Sequence, residues 1–218
     1  MRKCKRWLSV VTNLKLLETY NQIDGEFMID IPKVILASAS PRRAEILRSV
    51  GWAFESLPVG IEEILTANED GAQYVQRLAR EKAGAAAARV PNAIVIGADT
   101  TVTIGEQILE KPADHADAER MLRLLRGRWH RVLTGVAVVN GSASEPRVAL
   151  ETTSVKFAEM SDNEIKGYVS TGEPMDKAGA YAIQGFGALF IEEIRGDYFN
   201  VVGLPVRLLY RLIKELGR

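Results

Sequence analysis

The run AIVIGADTTVTI, residues 93–104, leaves this chain few architectures to choose from. Ile94, Val95 and Ile96 are continuously apolar, the pattern of a strand buried in a core. Ile104 is followed by Gly105-Glu106 and then QILEK, so TVTIGEQILE reads as a hairpin. Upstream, strand-like and helix-like segments alternate. βα units beside hairpins predict a mixed sheet, of α/β or α+β class.

Strands are predicted over 33–38, 53–58, 93–104, 130–140, 147–158 and 187–202, with QILEK as an extra hairpin strand. Helices are predicted over 41–50, 70–89, 115–126, 162–170 and 205–216. Ser161 and Glu164 have the spacing of a capping box for the fourth helix, and Pro205 suits the start of the last. In the first, Ile46, Leu47 and Val50 recur at helical spacing and are expected to face the core. No internal repeat or low-complexity linker divides the chain. Residues 31–218 read as one domain of two lobes, and 1–30 as a loosely ordered extension. Met28, just before the first strand, is a candidate start. The basic opening resembles a signal peptide only superficially, because WLSVV is short and no small-residue cleavage site follows.

Charge narrows the partners. Lys+Arg and Asp+Glu are each 28, giving zero formal charge. A sequence-blind nucleic-acid binder carries a basic excess, so nucleic acid is not expected as a partner. RLLRGRWHR, residues 123–131, is the basic cluster that argues otherwise. Its Arg123 and Arg126 instead suit the solvent face of a helix that packs Ala118, Met121, Leu122 and Leu125 inward. His130, in the next strand, is read as structural. No run approaches the about 18 apolar residues of a membrane span. A single cysteine, Cys4, allows no internal disulfide, and a reducing cytoplasm fits.

Several ionisable groups stand where the pattern wants apolar ones. In the helix of residues 70–89, Val75, Leu78, Ala79 and Ala86 form a stripe with Lys82 close to its centre. A buried ammonium costs several kcal/mol unless an anion compensates; the alternative is a side chain snorkelling to solvent. Asp99 lies at the carboxyl end of a core strand, where open sheets place ligands, or else is an Asx-turn residue. Glu62 and Glu63 form a second acidic site, or a solvated loop. Lys111, before a proline, is either a cleft lysine or a surface one. Together these groups supply carboxylates for a divalent cation and cations for phosphate.

SASPRR, residues 38–43, adds an anion site. Ser40 suits an N-cap and Pro41 a first helical turn, whose free N–H groups attract anions. The dipole contributes roughly 0.3–1 kcal/mol, and each charge-assisted hydrogen bond from an arginine about 1.5–3. Ser38, Ser40, Arg42 and Arg43 are therefore phosphate-binding candidates, unless the arginines pair with Glu45 or other acids at the core edge.

SASPRR (38–43), GADT (97–100), EKP (110–112), DKAGAYAIQG (176–185) and NVVGLP (200–205) resemble, in order and spacing, the Maf family of nucleotide pyrophosphatases. The resemblance covers nearly all of 33–217. It implies an elongated twisted mixed sheet with two lobes around a central cleft, similar to the inosine-triphosphate pyrophosphatases. It also implies hydrolysis of nucleoside triphosphates to monophosphate and pyrophosphate with Mg2+ or Mn2+, a nucleotide-pool house-cleaning role, and a homodimer. Asp99 matches the catalytic proton acceptor, Glu63 the glutamate of the acidic loop, and Lys82 and Lys111 the phosphate-cleft lysines. Arg42, Thr100 and Gln184 match positions tied to base preference and point to the dTTP/UTP branch, with CTP or modified pyrimidine nucleotides as further candidates. The 7-methyl-GTP branch has tryptophan at Arg42 and glutamate at Gln184. Glycines 179, 185 and 187 are expected to let the backbone approach the base. Two features depart from the family pattern: the extension before Met28, and a stretch between Lys82 and Asp99 about a residue shorter than in some members. The rival from another class is a non-catalytic nucleotide-binding regulator of septum formation, which needs the basic groups but not the acidic pair.

Overall fold

The computed structural model describes residues 32–141 and 145–216; the expectation for the extension lies outside them. Seven strands form one mixed sheet: β1 (Val34–Leu36), β2 (Phe54–Ser56), β3 (Ile94–Ile104), β4 (Gln107–Leu109), β5 (Trp129–Asn140), β6 (Arg147–Phe157) and β7 (Ile191–Arg195). Their order is β2-β1-β3-β5-β6-β7, with β4 hydrogen-bonded to β3. β2, β1 and β3 run parallel, and every other pairing is antiparallel. The helices are α1 (Pro41–Ser49), α2 (Gly71–Ala87), α3 (His115–Leu125), α4 (Asp162–Ser170), α5 (Tyr198–Val202) and α6 (Val206–Leu216).

Helix α2 starts at Asp70, whose carboxylate accepts from the Gln73 N–H while the Gln73 side chain accepts from the Asp70 N–H. Its alanine-rich stripe, Ala79, Ala83 and Ala86, packs on Val95, Ala137 and Val139. The approach is very close. A Cβ on Gly97 would lie 2.1 Å from the Ala79 carbonyl oxygen, and one on Gly135 2.2 Å from that of Val75. Two strand glycines thus admit the helix backbone onto the sheet. On the opposite face, α3 and α4 bury Met121, Leu122, Leu125 and Ile165 against Val102, Val132, Val155 and Phe157.

His130 belongs to this second core, only 2% exposed. Its ring meets Phe157 and Tyr181 edge-on at 5.1 and 5.3 Å, and Nε2 lies 2.8 Å from the Tyr181 hydroxyl. Burial pulls its pKa from 6.5 down to about 4. Between those values the unfolded chain binds the extra proton, so stability falls as pH drops through the window. We expect this histidine to account for about 3 kcal/mol of acid sensitivity. Denaturant unfolding between pH 7 and pH 4 checks this, and His130→Phe should flatten the slope.

Three local expectations are corrected. Residues 187–202 are not one strand: a 3-10 turn over Phe186–Phe190 leads into β7, and α5 follows. Asp197 starts α5 by accepting from the Phe199 and Asn200 N–H groups. Val50 is 39% exposed, and the nearby core position is taken by Trp52, because α1 ends at Ser49 and the chain turns. Ser40 occupies the N-cap position of α1, but its side chain makes no capping bond.

Candidate active site

The sheet itself makes the cleft. β1 pairs with β3 only at Ile94–Ile96 and β4 only at Val102–Ile104. Between them, no strand among the described residues pairs with that edge of β3 from Gly97 to Thr101. Successive side chains alternate faces, so Asp99 looks towards α2 and Thr100 away from it. Both border a cavity of about 610 Å3, a size suited to a small-molecule ligand.

On the α2 side, the Lys82 ammonium donates to Asp99 Oδ1 at 2.6 Å and to Glu63 Oε1 at 2.5 Å. Lys82 is 7% exposed and Asp99 6%. The buried ammonium therefore has the anion it requires, and no snorkelling occurs. Lys111 is more exposed and sits 3.4 Å from Glu63 Oε2, loosely enough to turn towards a ligand. Burial pushes the Asp99 carboxyl above the usual aspartate range, against the pull of Lys82 and Arg43. Burial also pushes Glu63 up, but Lys82 and Lys111 outweigh it and leave that carboxyl below the usual glutamate range.

Glu110, within EKP, accepts from the Thr101 hydroxyl at 2.6 Å and from the Tyr74 hydroxyl at 3.2 Å. The Tyr74 hydroxyl also lies 3.2 Å from the Glu63 carbonyl oxygen, its second acceptor partner. The one signal for Glu110 in the sequence is its place in EKP beside Lys111.

On the other side, the Arg43 guanidinium is spread over three protein acceptors. Nε donates to the Gly203 carbonyl at 2.8 Å, and the terminal nitrogens to Ser38 Oγ at 3.2 Å and Thr100 Oγ1 at 3.1 Å. Ser38 Oγ also accepts from the Ser40 N–H at 3.1 Å. Arg43 thereby ties the start of α1 to β3 and to the segment after α5. Arg42 pairs with Asp176 at 2.9 Å and not with Glu45, at a partly solvated position.

Gln184 is exposed at the cleft. The nearby glycines make room for other parts of the protein. A Cβ on Gly185 would lie 2.3 Å from Glu173 Oε2, one on Gly187 2.2 Å from the Ala182 carbonyl oxygen, and one on Gly179 2.9 Å from the Val102 side chain. Glu173, which sequence reading missed, accepts from the Phe186 and Gly187 N–H groups at 2.9 and 3.0 Å. Burial pushes its carboxyl up, yet these donors, Tyr168 and Lys177 leave it below the usual range.

Ser38, Ser40, Arg42, Arg43, Glu63, Lys82, Asp99, Thr100, Lys111 and Gln184, scattered through the sequence, all line this one cavity. Residues 33–216 match the family model described as Maf-like protein. The chain belongs to the Maf family. Among Maf relatives, the dTTP/UTP pyrophosphatase of Koribacter versatilis (strain Ellin345) is 54% identical over 184 residues, 84% of this chain and 94% of that protein. The dTTP/UTP pyrophosphatase of Symbiobacterium thermophilum is 51% identical over 185 residues, 85% of this chain and 94% of that protein. A solved HAM1 protein from Coxiella burnetii aligns with a TM-score of 0.49 at 16% identity, over 86% of this chain and 99% of that chain.

Of the carboxylates that line this Maf cleft, Asp99 and Glu63 are the pair brought together on the Lys82 ammonium, and no metal-holding cluster of three His, Cys, Asp or Glu occurs among the described residues. That donor set does not make an all-protein metal cage. It fits a hard cation that takes one or two carboxylates and completes its shell with substrate phosphate oxygens and water.

Proposed function

We propose that this Maf-family chain hydrolyses dTTP and UTP to the monophosphate and pyrophosphate, in the cytoplasm and with a divalent cation. The observation that carries the reading is the convergence of Asp99, Glu63, Lys82 and Lys111 with the Ser38–Arg43 turn on one cleft. The shared name of the Maf relatives supports it. CTP and modified pyrimidine nucleotides fall within the same substrate class.

Water attacks the α phosphorus; a P–O bond forms to the water oxygen, and the bond to the bridging oxygen of the β phosphate breaks. Asp99 accepts the proton the water loses. Lys82 holds both carboxylates in place, and Lys111, free to turn, meets negative charge growing on the leaving pyrophosphate. Arg42, the more exposed of the two arginines, is the one available to a phosphate, while Arg43 keeps the turn in position. Asp99 and Glu63 would hold Mg2+ or Mn2+, which supplies charge neutralisation and acidifies water. A nucleotide sensor has no need of the acidic pair, and its presence favours an enzyme over a regulator of septum formation.

Incubation with a nucleotide panel plus Mg2+ or Mn2+, with products separated chromatographically, tests the reading. Monophosphate and pyrophosphate are expected; diphosphate and orthophosphate would overturn it. Gln184 carries both a donor and an acceptor for the N3–H and carbonyls of a pyrimidine. Gln184→Glu loses the donor, so kcat/KM for UTP and dTTP should fall by about tenfold or more. An unchanged preference across the panel would remove Gln184 from the base pocket.

A further inference from the structure

Gln184 stands on the short arc 183–185, and one pair of side chains holds both ends of that arc. At its entry the Ala182 N–H donates to the Tyr168 hydroxyl at 3.2 Å. At its exit the Phe186 and Gly187 N–H groups donate to the Glu173 carboxylate. The Tyr168 hydroxyl donates to Glu173 Oε1 at 2.8 Å, joining the two ends. Gly185, at φ +88°, has no side chain to push the carboxylate away.

The same glutamate reaches a second candidate base-preference residue. Its main-chain carbonyl accepts from Lys177 at 2.7 Å, and Lys177 also donates to Asp176. Asp176 in turn pairs with Arg42. Two of the three positions matched to base preference, Gln184 and Arg42, therefore branch from one post. A half-buried acceptor serving several donors fixes geometry more firmly than one loop contact would.

We propose that Glu173, braced by Tyr168, is a positioning residue for base selection: it sets where Gln184 stands and so which nucleotides the cleft accepts. The proposal rests on the pyrimidine-nucleotide reading above. In Glu173→Gln, one side-chain oxygen is replaced by an N–H group that faces the N–H donors of Phe186 or Gly187. The arc loses a tether at one end while the Asp99–Lys82–Glu63 cluster is untouched.

The test is steady-state kinetics on UTP, dTTP, CTP, GTP and ATP for wild type, E173Q, Y168F, Q184A and the double variant E173Q/Q184A. The UTP-over-GTP ratio of kcat/KM should fall about tenfold in E173Q, chiefly through KM for UTP. Y168F should shift it in the same direction by less. In the Q184A background, E173Q should change the ratio no further, because it acts through a side chain already removed. A uniform loss on every nucleotide, a wild type without base preference, or additive losses in the double variant would each overturn the proposal. If E173Q does not fold, Y168F, which deletes one hydroxyl, decides: an unchanged ratio overturns it. An active wild type with an unshifted E173Q ratio defeats this inference alone. A wild type that hydrolyses no nucleoside triphosphate defeats the functional reading as well.

Discussion

Asp99→Asn should lower the rate of pyrophosphate release by about two to three orders of magnitude while leaving the protein folded and able to bind nucleotide. The amide is nearly isosteric with the carboxylate. Lys82 retains Glu63 as a partner at 2.5 Å, so no buried ammonium is stranded. What is lost is the proton acceptor in the gap of the sheet, and with it one of the two carboxylates that Lys82 holds at the cleft. Released pyrophosphate is the readout, with a melting curve as the control for folding. Near-normal turnover would remove Asp99 from the chemistry.

Lys82→Met should be costlier, because it damages fold and function together. The methionine fills similar space on the buried stripe, but Asp99 and Glu63 lose the cation that both contact. Removing one partner from a buried ion pair destabilises by about 3–5 kcal/mol, and turnover should fall by about two to three orders of magnitude. The pH dependence identifies the cause. With no ammonium between them, the like-charged carboxylates raise one another's pKa in the folded protein. The folded state then binds a proton more readily than the unfolded chain, so acidification from pH 7 should recover part of the lost stability. Urea unfolding at both pH values distinguishes this from simple loss of packing, which would give a pH-independent deficit.

Much of this arrangement is legible in the sequence because it is local or periodic. The apolar run at Ile94–Ile96 and the stripe on residues 70–89 place the main strand and helix within a few residues of their observed ends. A lysine on that stripe demands an anion, and the structure supplies two. The pattern fails where distant residues dictate conformation. The turn at Phe186–Phe190 is held by Glu173, thirteen and fourteen residues upstream, so its own sequence reads as a strand. The missing cap at Ser40 has the same origin. Ser38 Oγ takes the Ser40 N–H, and Arg43, reaching over to Gly203 and Thr100, organises that turn. Nor does any local signal show that Arg42 meets Asp176, 134 positions away.

The glycines at 97 and 135 set a limit on how mutation can reach the reaction centre. With main chain lying on main chain there, the spacing between the helix that carries the ammonium and the strand that carries the carboxylate is set by backbone contact, not by aliphatic filling. Variants that merely soften the interior should melt earlier yet turn over at the parental rate. Heat tolerance and catalytic power would then evolve as nearly independent traits, coupled tightly at the two places where a hydrogen atom stands in for a side chain.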